Sequence, residues 1–427
     1  MAELSSIPDS PNESTLMLEP LEAAVVTAIR RRGPLSRSDL SEQLAYSRAS
    51  VTGIVGRMID AQILAEAGEG KSAGGRRPYL LDINPRLGYV VGVDIGATSL
   101  DVALADFRGG ILERAGETAD VRGRPEDFLD HVADLIRELL DRRGAAAGEV
   151  VGIGVGVPGP VEFSSGTLIA PPLMPLWDGF PIRRYLRDSF PNARVAVDND
   201  VDIMARGEHQ AGAGRDMDNF LFIKIGTGIG CGIISHGEVY RGADGAAGDV
   251  GHICVDYNGP VCHCGNQGCL EIMTAGPAIA AEALARAEAG DSPFLAARLA
   301  ERKKDLTGFP KPVRSGEGSE GLLTAIDVGD AAAAGDRAAL EIVRRSGRMV
   351  GGVLATLVNF YNPEAVFIGG GVAHIGNGLL SAIRQATLRR ATALSTRHLR
   401  VEYSPLGEDA GVIGGIWLAL EHVFTIK

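Results

Sequence analysis

Twice in this chain a short run of apolar, largely β-branched residues ends in a glycine-bearing turn and resumes as a second strand. The first is Val90-Val91-Gly92-Val93-Asp94, which turns through Ile95-Gly96-Ala97-Thr98-Ser99 and continues over 102–106. The second occupies 219–225, turns through Gly226-Thr227-Gly228 and continues over 230–235. A brief continuous apolar run bounded by turn residues reads as a strand buried on both faces. Its repetition predicts a duplicated α/β unit, with two lobes facing each other across a cleft. Strands at 111–114, 150–157 and 365–368, the last followed by Gly369-Gly370-Gly371, and helices over 125–143 and 338–361 complete the scheme. Residues 296–320 are charged and rich in Gly and Ser, and read as a surface insertion.

The N-terminal part follows another rhythm. Residues 1–19 read as a flexible tail, and Pro20 opens a helix, since the first turn does not need its missing N–H. Leu21, Ala24, Val25, Ala28 and Ile29 form one apolar stripe, which Gly33-Pro34 stops. Ser36, with Asp39 at the capping-box position, starts a second helix that buries Leu40 and Leu44. After Ala45-Tyr46, Ser47 caps a third helix with Val51, Ile54, Val55, Met58 and Ile59 inside and Arg48, Ser50, Thr52 and Arg57 outside. Strands at 63–65 and 79–83 flank a loop holding Lys71, Gly74, Gly75, Arg76 and Arg77. Three short helices and a basic hairpin predict a winged helix-turn-helix over 20–86. Its third helix can enter a major groove, so Arg48, Ser50 and Thr52 are the candidate base or phosphate contacts. Lys71, Arg76 and Arg77 are candidates for the DNA backbone or minor groove. A three-helix interaction domain that never meets nucleic acid is the competing reading. Ala45 stands where the turn usually carries Gly; a left-handed backbone there costs a non-glycine residue on the order of 1 kcal/mol.

Charge supports the division. The chain carries a net charge of -12, yet residues 30–86 hold ten Lys/Arg against six Asp/Glu. A small basic module on an acidic body suits a DNA reader joined to a separate sensor. At 427 residues, 45% hydrophobic and 22% charged, two or three globular domains are expected. No apolar run approaches the roughly 20 residues that span a bilayer. The first twenty residues lack the basic start and apolar stretch of a secretion signal. A cytoplasmic protein without a membrane partner is expected.

The five cysteines, at 231, 254, 262, 264 and 269, disfavour a disulfide framework by their odd number and favour a metal by their clustering. One imidazole, His252, and three thiolates, Cys262, Cys264 and Cys269, suit tetrahedral zinc, because the tight C-x-C-x₄-C loop lets three sulfurs converge. His263 and Cys254 are the weaker ligand candidates. Four protein ligands leave no open position, which makes the expected zinc structural.

Several separated motifs now bear on one family. Gly75-Arg76-Arg77-Pro78 closes the wing; Asp94-Ile95-Gly96-Ala97-Thr98 and Ile225-Gly226-Thr227-Gly228-Ile229-Gly230 resemble paired phosphate loops. Asp198-Asn199-Asp200 with Gly207-Glu208, Gly248-Asp249-Val250-Gly251-His252 with the cysteine loop, and Gly369-Gly370-Gly371 complete the set. From about residue 20 onward the sequence resembles the ROK family (repressors, open reading frames, kinases), in its helix-turn-helix-bearing regulator branch. The resemblance implies an α/β chain: an N-terminal winged helix-turn-helix followed by a two-lobed actin-like ATPase, or ribonuclease H-like, sugar-kinase fold. It divides the chain into a tail (1–19), the winged module (20–86), a smaller lobe (87–200) and a larger lobe (201–427) carrying the zinc loop (252–271).

In the kinases of that family the residue matching Asp200 is the general base that takes the proton of the attacking sugar hydroxyl. Asn199, Asp249, His252 and Glu271 match positions that hold the other hydroxyls, and His252 would bind metal through one nitrogen and sugar through the other. Asp94, Gly96, Thr98, Thr227, Gly228, Gly369 and Gly370 match the ATP site, with Mg²⁺. The sequence departs twice: Ala97 replaces a Gly where backbone should approach phosphate, and Asp249 replaces a Glu. Two functions follow. One is a sugar-responsive regulator, expected as a repressor of carbohydrate genes, with operator DNA and a sugar or sugar derivative as partners. The other is an ATP-dependent hexose kinase. A homodimer, or a tetramer of two dimers, is expected in either case. A regulator that has lost its sugar and answers to a phosphorylated metabolite or a partner protein is the third reading.

Overall fold

The computed structural model describes residues 16–70, 77–306 and 322–426. Lys71, Gly74, Gly75 and Arg76 of the expected wing, most of the expected tail and residues 307–320 of the expected insertion lie outside the described residues.

Helices Pro20–Arg32, Arg37–Gln43 and Arg48–Asp60 pack beside a three-stranded sheet in which Tyr79–Ile83 lies between Leu35–Ser36 and Leu64–Glu69. The caps are local. Ser36 accepts from Asp39 N while Asp39 receives Ser36 N, and Ser47 accepts from Ser50 N. These bonds satisfy N–H groups that have no partner inside the helix. Ala45 sits in the left-handed region at φ 56°.

Each lobe is built on a five-stranded sheet of one plan. In the first, Arg194–Asn199, Val150–Val157 and Tyr89–Ile95 run parallel, and Ser99–Ala105 and Ile111–Thr118 continue antiparallel. In the second, Arg400–Tyr403, Ala365–Gly369 and Phe220–Ile225 run parallel, and Ile229–Ser235 and Glu238–Val239 continue antiparallel. Helix Pro125–Arg143 covers the first sheet through Leu129, Val132, Ile136, Leu139 and Leu140. It begins on a proline and ends at Gly144, left-handed at φ 65°, which any other L residue adopts only at a cost. Helix Arg337–Tyr361 buries Ile342, Val343, Val350, Leu354 and Val358 in the second core. Part of the expected surface insertion is instead helix: Pro293–Leu306 buries Leu295 and Leu299 against that same core.

The C-terminal end of the chain does not stay with the second lobe. Helix Asp409–Val423 is apolar on nearly all sides and returns to the first lobe. Its backbone lies directly on the sheet: a Cβ on Gly154 would meet Gly415 O at 2.0 Å. On its other side, a Cβ on Gly414 would meet Ile203 O, of helix Asp200–Ala211, at 1.6 Å. The same helix completes the core of the winged module, where Val412, Ile416, Trp417, Leu420 and Val423 join Val25, Ile29, Leu40, Val51, Val55 and Met58 in one cluster. Strand Leu16–Leu18 pairs in parallel with Phe424–Ile426, and the Arg30 guanidinium lies 4.8 Å over the Phe424 ring. The winged module is therefore fastened to the body by its first and last described strands and by a shared core.

Relieving the strained turn stabilises the module. Ala45→Gly is expected to add about 0.5–1 kcal/mol, the left-handed penalty less the extra freedom that Gly gives the unfolded chain. Hydrogen exchange of the Leu40 and Val51 amides should slow accordingly; unchanged or faster exchange would contradict the assignment of strain.

Candidate functional site

Between the lobes lies a cavity of about 1560 Å³. It draws a glycine-bearing turn and a further loop or helix start from each half of the duplication. Asp94, Gly96 and Thr98 line it from the first turn, and Thr227 and Gly228 from the second. Asn199 and Asp200 enter at the start of helix Asp200–Ala211, and Gly369 and Gly370 follow strand Ala365–Gly369. Asp249, His252 and Glu271 complete the wall beside the cysteine loop. Residues spread over almost three hundred positions thus share one cleft.

Their side chains are not equally free. Asn199 Oδ1 accepts from Val201 N at 2.9 Å and its Nδ2 donates to Gly159 O at 2.8 Å, so the amide caps the helix and ties down a neighbouring loop. Glu271 Oε2 accepts from Ile229 N at 3.0 Å, which holds the helix after the cysteine loop against the second turn. Asp249 is exposed, with its carboxylate 3.7 Å from His252 Nε2. Glu208, singled out by its motif, is fully buried and bound by Ser404 Oγ at 2.5 Å and Ala213 N at 2.6 Å. It does not line the cavity, and it anchors the end of its helix.

The floor carries a charge that sequence reasoning missed. Lys224 interrupts the apolar strand Phe220–Ile225 and donates from Nζ to Asp200 Oδ2. A lone lysine in an otherwise apolar strand was the available signal. Burial alone would lower the Lys224 pKa, but Asp200 and Asp94 outweigh it and hold the ammonium above its ordinary value. Asp94 goes the other way: burial, with Asp200 and Asp101 adding to it, pushes its carboxyl up to about 7 against the opposing pull of Lys224 and Arg114. Its Oδ1 is buried with no hydrogen-bond partner. Deeper in the same helix, burial and the charge of Asp198 raise Asp202 well above the carboxylate range. Asp198 itself is paired with Arg241 at 2.6 Å. Arg206, one turn beyond Asp202, pairs with Glu421 of the C-terminal helix.

In the cysteine loop His252 Nδ1 lies 3.6 Å from Cys262 Sγ, and Cys264 Sγ lies 3.7 Å from Cys269 Sγ. The ligand atoms of these four residues all fall within 4.8 Å of one another. Thiolate–metal bonds of about 2.3 Å at tetrahedral angles put sulfurs about 3.8 Å apart, so the cluster fits one closed tetrahedral ion. His252 turns Nδ1 to the thiols and Nε2 toward the cleft. Cys254 forms a bridge with Cys269 through backbone only, and neither it nor His263 belongs to the four.

On the winged module Arg48, Ser50 and Thr52 are all exposed along helix Arg48–Asp60. The Ser50 hydroxyl already meets Ser47 Oγ at 2.8 Å. Arg57 is held by Glu22 at 3.1 Å, and Arg77 lies 3.7 Å from Glu69.

A family model for the ROK family matches residues 90–422. The chain belongs to the ROK family. Its ROK relatives are of two kinds. A putative xylose repressor from Caldicellulosiruptor is 30% identical, over 92% of this chain and 93% of its own. A solved ROK family transcriptional regulator, a homologue of the Escherichia coli MLC protein, superposes with a TM-score of 0.75 at 26% identity, covering 94% of this chain and 95% of its own. A ROK glucokinase from Streptomyces griseus, solved with glucose and AMPPNP, gives a TM-score of 0.64 at 30% identity over 78% of this chain and 99% of its own. The ROK fold here is thus that of the family's regulators and sugar kinases, actin-like in its two lobes. The additional length shared with the regulators is about that of the winged module. No helix among the described residues is long and apolar enough to cross a membrane.

The raised Asp94 pKa fixes a sign. Its folded value lies above the unfolded one, so the stability it contributes is greatest below pH 4 and is lost as pH rises toward about 7. Asp94→Asn should therefore stabilise the chain at pH 8 more than at pH 5, by about 2–3 kcal/mol in denaturant midpoints. An advantage that does not vary with pH would contradict the burial argument.

Proposed function

We propose that this ROK chain is a sugar-responsive DNA-binding transcriptional regulator, acting as a repressor whose cleft receives a sugar and whose winged module reads an operator. The observation that carries the reading is the C-terminal helix. One stretch of chain seats on the cleft-bearing sheet, packs against the helix that begins at Asp200, and completes the core of the winged module. Any rearrangement of the cleft that shifts this helix shifts the DNA-reading face with it. Only a difference in sugar affinity between the two arrangements is needed, commonly about 1–3 kcal/mol.

In this reading Asp200, Asp249, His252 and Glu271 offer the acceptors and donors that a polyol's hydroxyls require once removed from water. Asn199 positions rather than grips, because both ends of its amide are already engaged. Zinc held by His252, Cys262, Cys264 and Cys269 would brace the loop from which His252 Nε2 and Glu271 reach the cleft. Arg48 and Thr52 would face the major groove with Ser50, flanked by Lys71, Arg76 and Arg77 of the wing. A dimer would present two such modules to a two-fold operator.

Sugar kinase activity is the second reading, favoured by the Gly-rich loops that share the cleft with Asp200. The Lys224 ammonium on the would-be base weighs against it. Two experiments separate the readings. Fluorescence anisotropy on the protein's own upstream DNA, with a panel of unmodified hexoses and pentoses, should find one sugar that weakens binding about 5–150-fold without ADP release. Arg48→Ala should weaken DNA binding at all sugar concentrations. No response to any sugar, or steady turnover that Asp200→Asn abolishes, would overturn the proposal. Metal analysis should find one zinc per chain, lost in Cys264→Ser together with sugar affinity; zinc-free protein with full sugar affinity would remove the metal from the scheme.

A further inference from the structure

The cleft floor brings two carboxylates from the first lobe and its following helix, Asp94 and Asp200, to a cation from the second lobe. We propose that Lys224 is the fixed cation of this cleft, its ammonium filling the place between Asp94 and Asp200 that a divalent ion would otherwise take, so that the pocket accepts an uncharged polyol without a magnesium nucleotide.

Three observations carry this. Lys224 Nζ donates to Asp200 Oδ2, and only 17% of the lysine side chain and 10% of the Asp200 side chain are exposed, so the pair is largely shielded from water. Asp94 lines the same cavity, within electrostatic reach of both. Its Oδ2 presses on the start of the C-terminal helix, where a Cβ on Gly411 would stand 1.8 Å away, and its Oδ1 is buried without a partner. Asp94 therefore cannot retreat from the lysine. An ammonium has three donors and only one is spent on Asp200. The remaining two are available to Asp94 or to a hydroxyl of the ligand.

Phosphoryl transfer from ATP needs a divalent ion on the phosphates and a carboxylate free to accept a proton. The floor of this cleft supplies neither condition. The carboxylate that would serve as base is engaged by a cation, and that cation repels a metal ion brought beside it. A neutral sugar meets no such repulsion, and a lysine N–H not spent on Asp200 can donate to one of its hydroxyls. The residues present thus fit a sugar and do not fit magnesium.

The inference deepens the sugar-receptor reading and rests on it for the identity of the ligand, but its test needs neither sugar nor DNA. Mn²⁺ is titrated into zinc-replete full-length protein, and binding is followed by the loss of the free-ion electron paramagnetic resonance signal. The native chain and Lys224→Arg should bind Mn²⁺ weakly. Lys224→Met should bind one ion per chain at least about tenfold more tightly, because Asp200 and Asp94 are left without the cation that both act on. Adding Asp200→Asn to Lys224→Met should cancel the gain. Should Lys224→Met fail to fold, Lys224→Gln, which keeps a hydrogen-bond donor for Asp200, carries the same expectation. Equal Mn²⁺ affinity in the native chain and the folded neutral variants overturns the proposal, and so does a gain that survives Asp200→Asn. Such a result with sugar-dependent DNA release intact removes the lysine's role alone; loss of sugar response with the Mn²⁺ pattern intact removes the receptor reading alone.

Discussion

The helix Asp409–Val423 lies where it does because glycines stand wherever its backbone would otherwise strike another. Gly154 meets it from the first sheet, and Gly414 on the helix itself faces Ile203 O. At such separations there is no room for a single methyl group, and packed interiors transmit a displacement of that size instead of absorbing it. The cleft-facing Asp94, the helix carrying Asp200 and the core of the winged module all rest on this one element. The Arg206–Glu421 pair, buried at the arginine and exposed at the glutamate, adds an electrostatic tie between the same two helices. Removing Glu421 would strand the buried Arg206 charge, so the pair helps to hold the two helices in register.

Charge distribution inside the cleft sets the chemistry available to it. Acidic groups dominate the floor, and a buried cluster of carboxylates is tolerable only with partners or with protons. The chain uses both. Arg241 and Lys224 pair with Asp198 and Asp200, while Asp94 and Asp202 respond to burial by holding their protons more tightly. The cysteine loop stands apart from this system in composition and gives His252, His263, Cys264 and Glu271 to the cleft wall.

What was legible in the sequence was what is determined locally. The Ser36 and Ser47 caps, the limits of helix Pro125–Arg143 and the spacing of Cys262, Cys264 and Cys269 depend on residues within one turn of one another. The paired glycine-bearing turns were legible because both are built on the same pattern, and the cleft followed from their pairing. The C-terminal helix was not, because it is apolar almost all round: with no polar face, periodicity cannot say which neighbours it meets. Nor could sequence reveal that the expected insertion begins as a helix, since only Leu295 and Leu299 of its apolar residues reach the core deeply and the rest of that surface is charged. Lys224 was overlooked because a strand is recognised by its apolar majority, and the residue that breaks the pattern is the informative one.

Strand Leu16–Leu18 and strand Phe424–Ile426 lie side by side, and residues 412–424 share one hydrophobic cluster with residues lying between 18 and 107. Closing that cluster joins segments roughly three hundred positions apart. Contacts across so long a loop carry a large closure cost and form late. The N-terminal helices therefore reach their full packing only as the far end of the body comes to rest on its sheet.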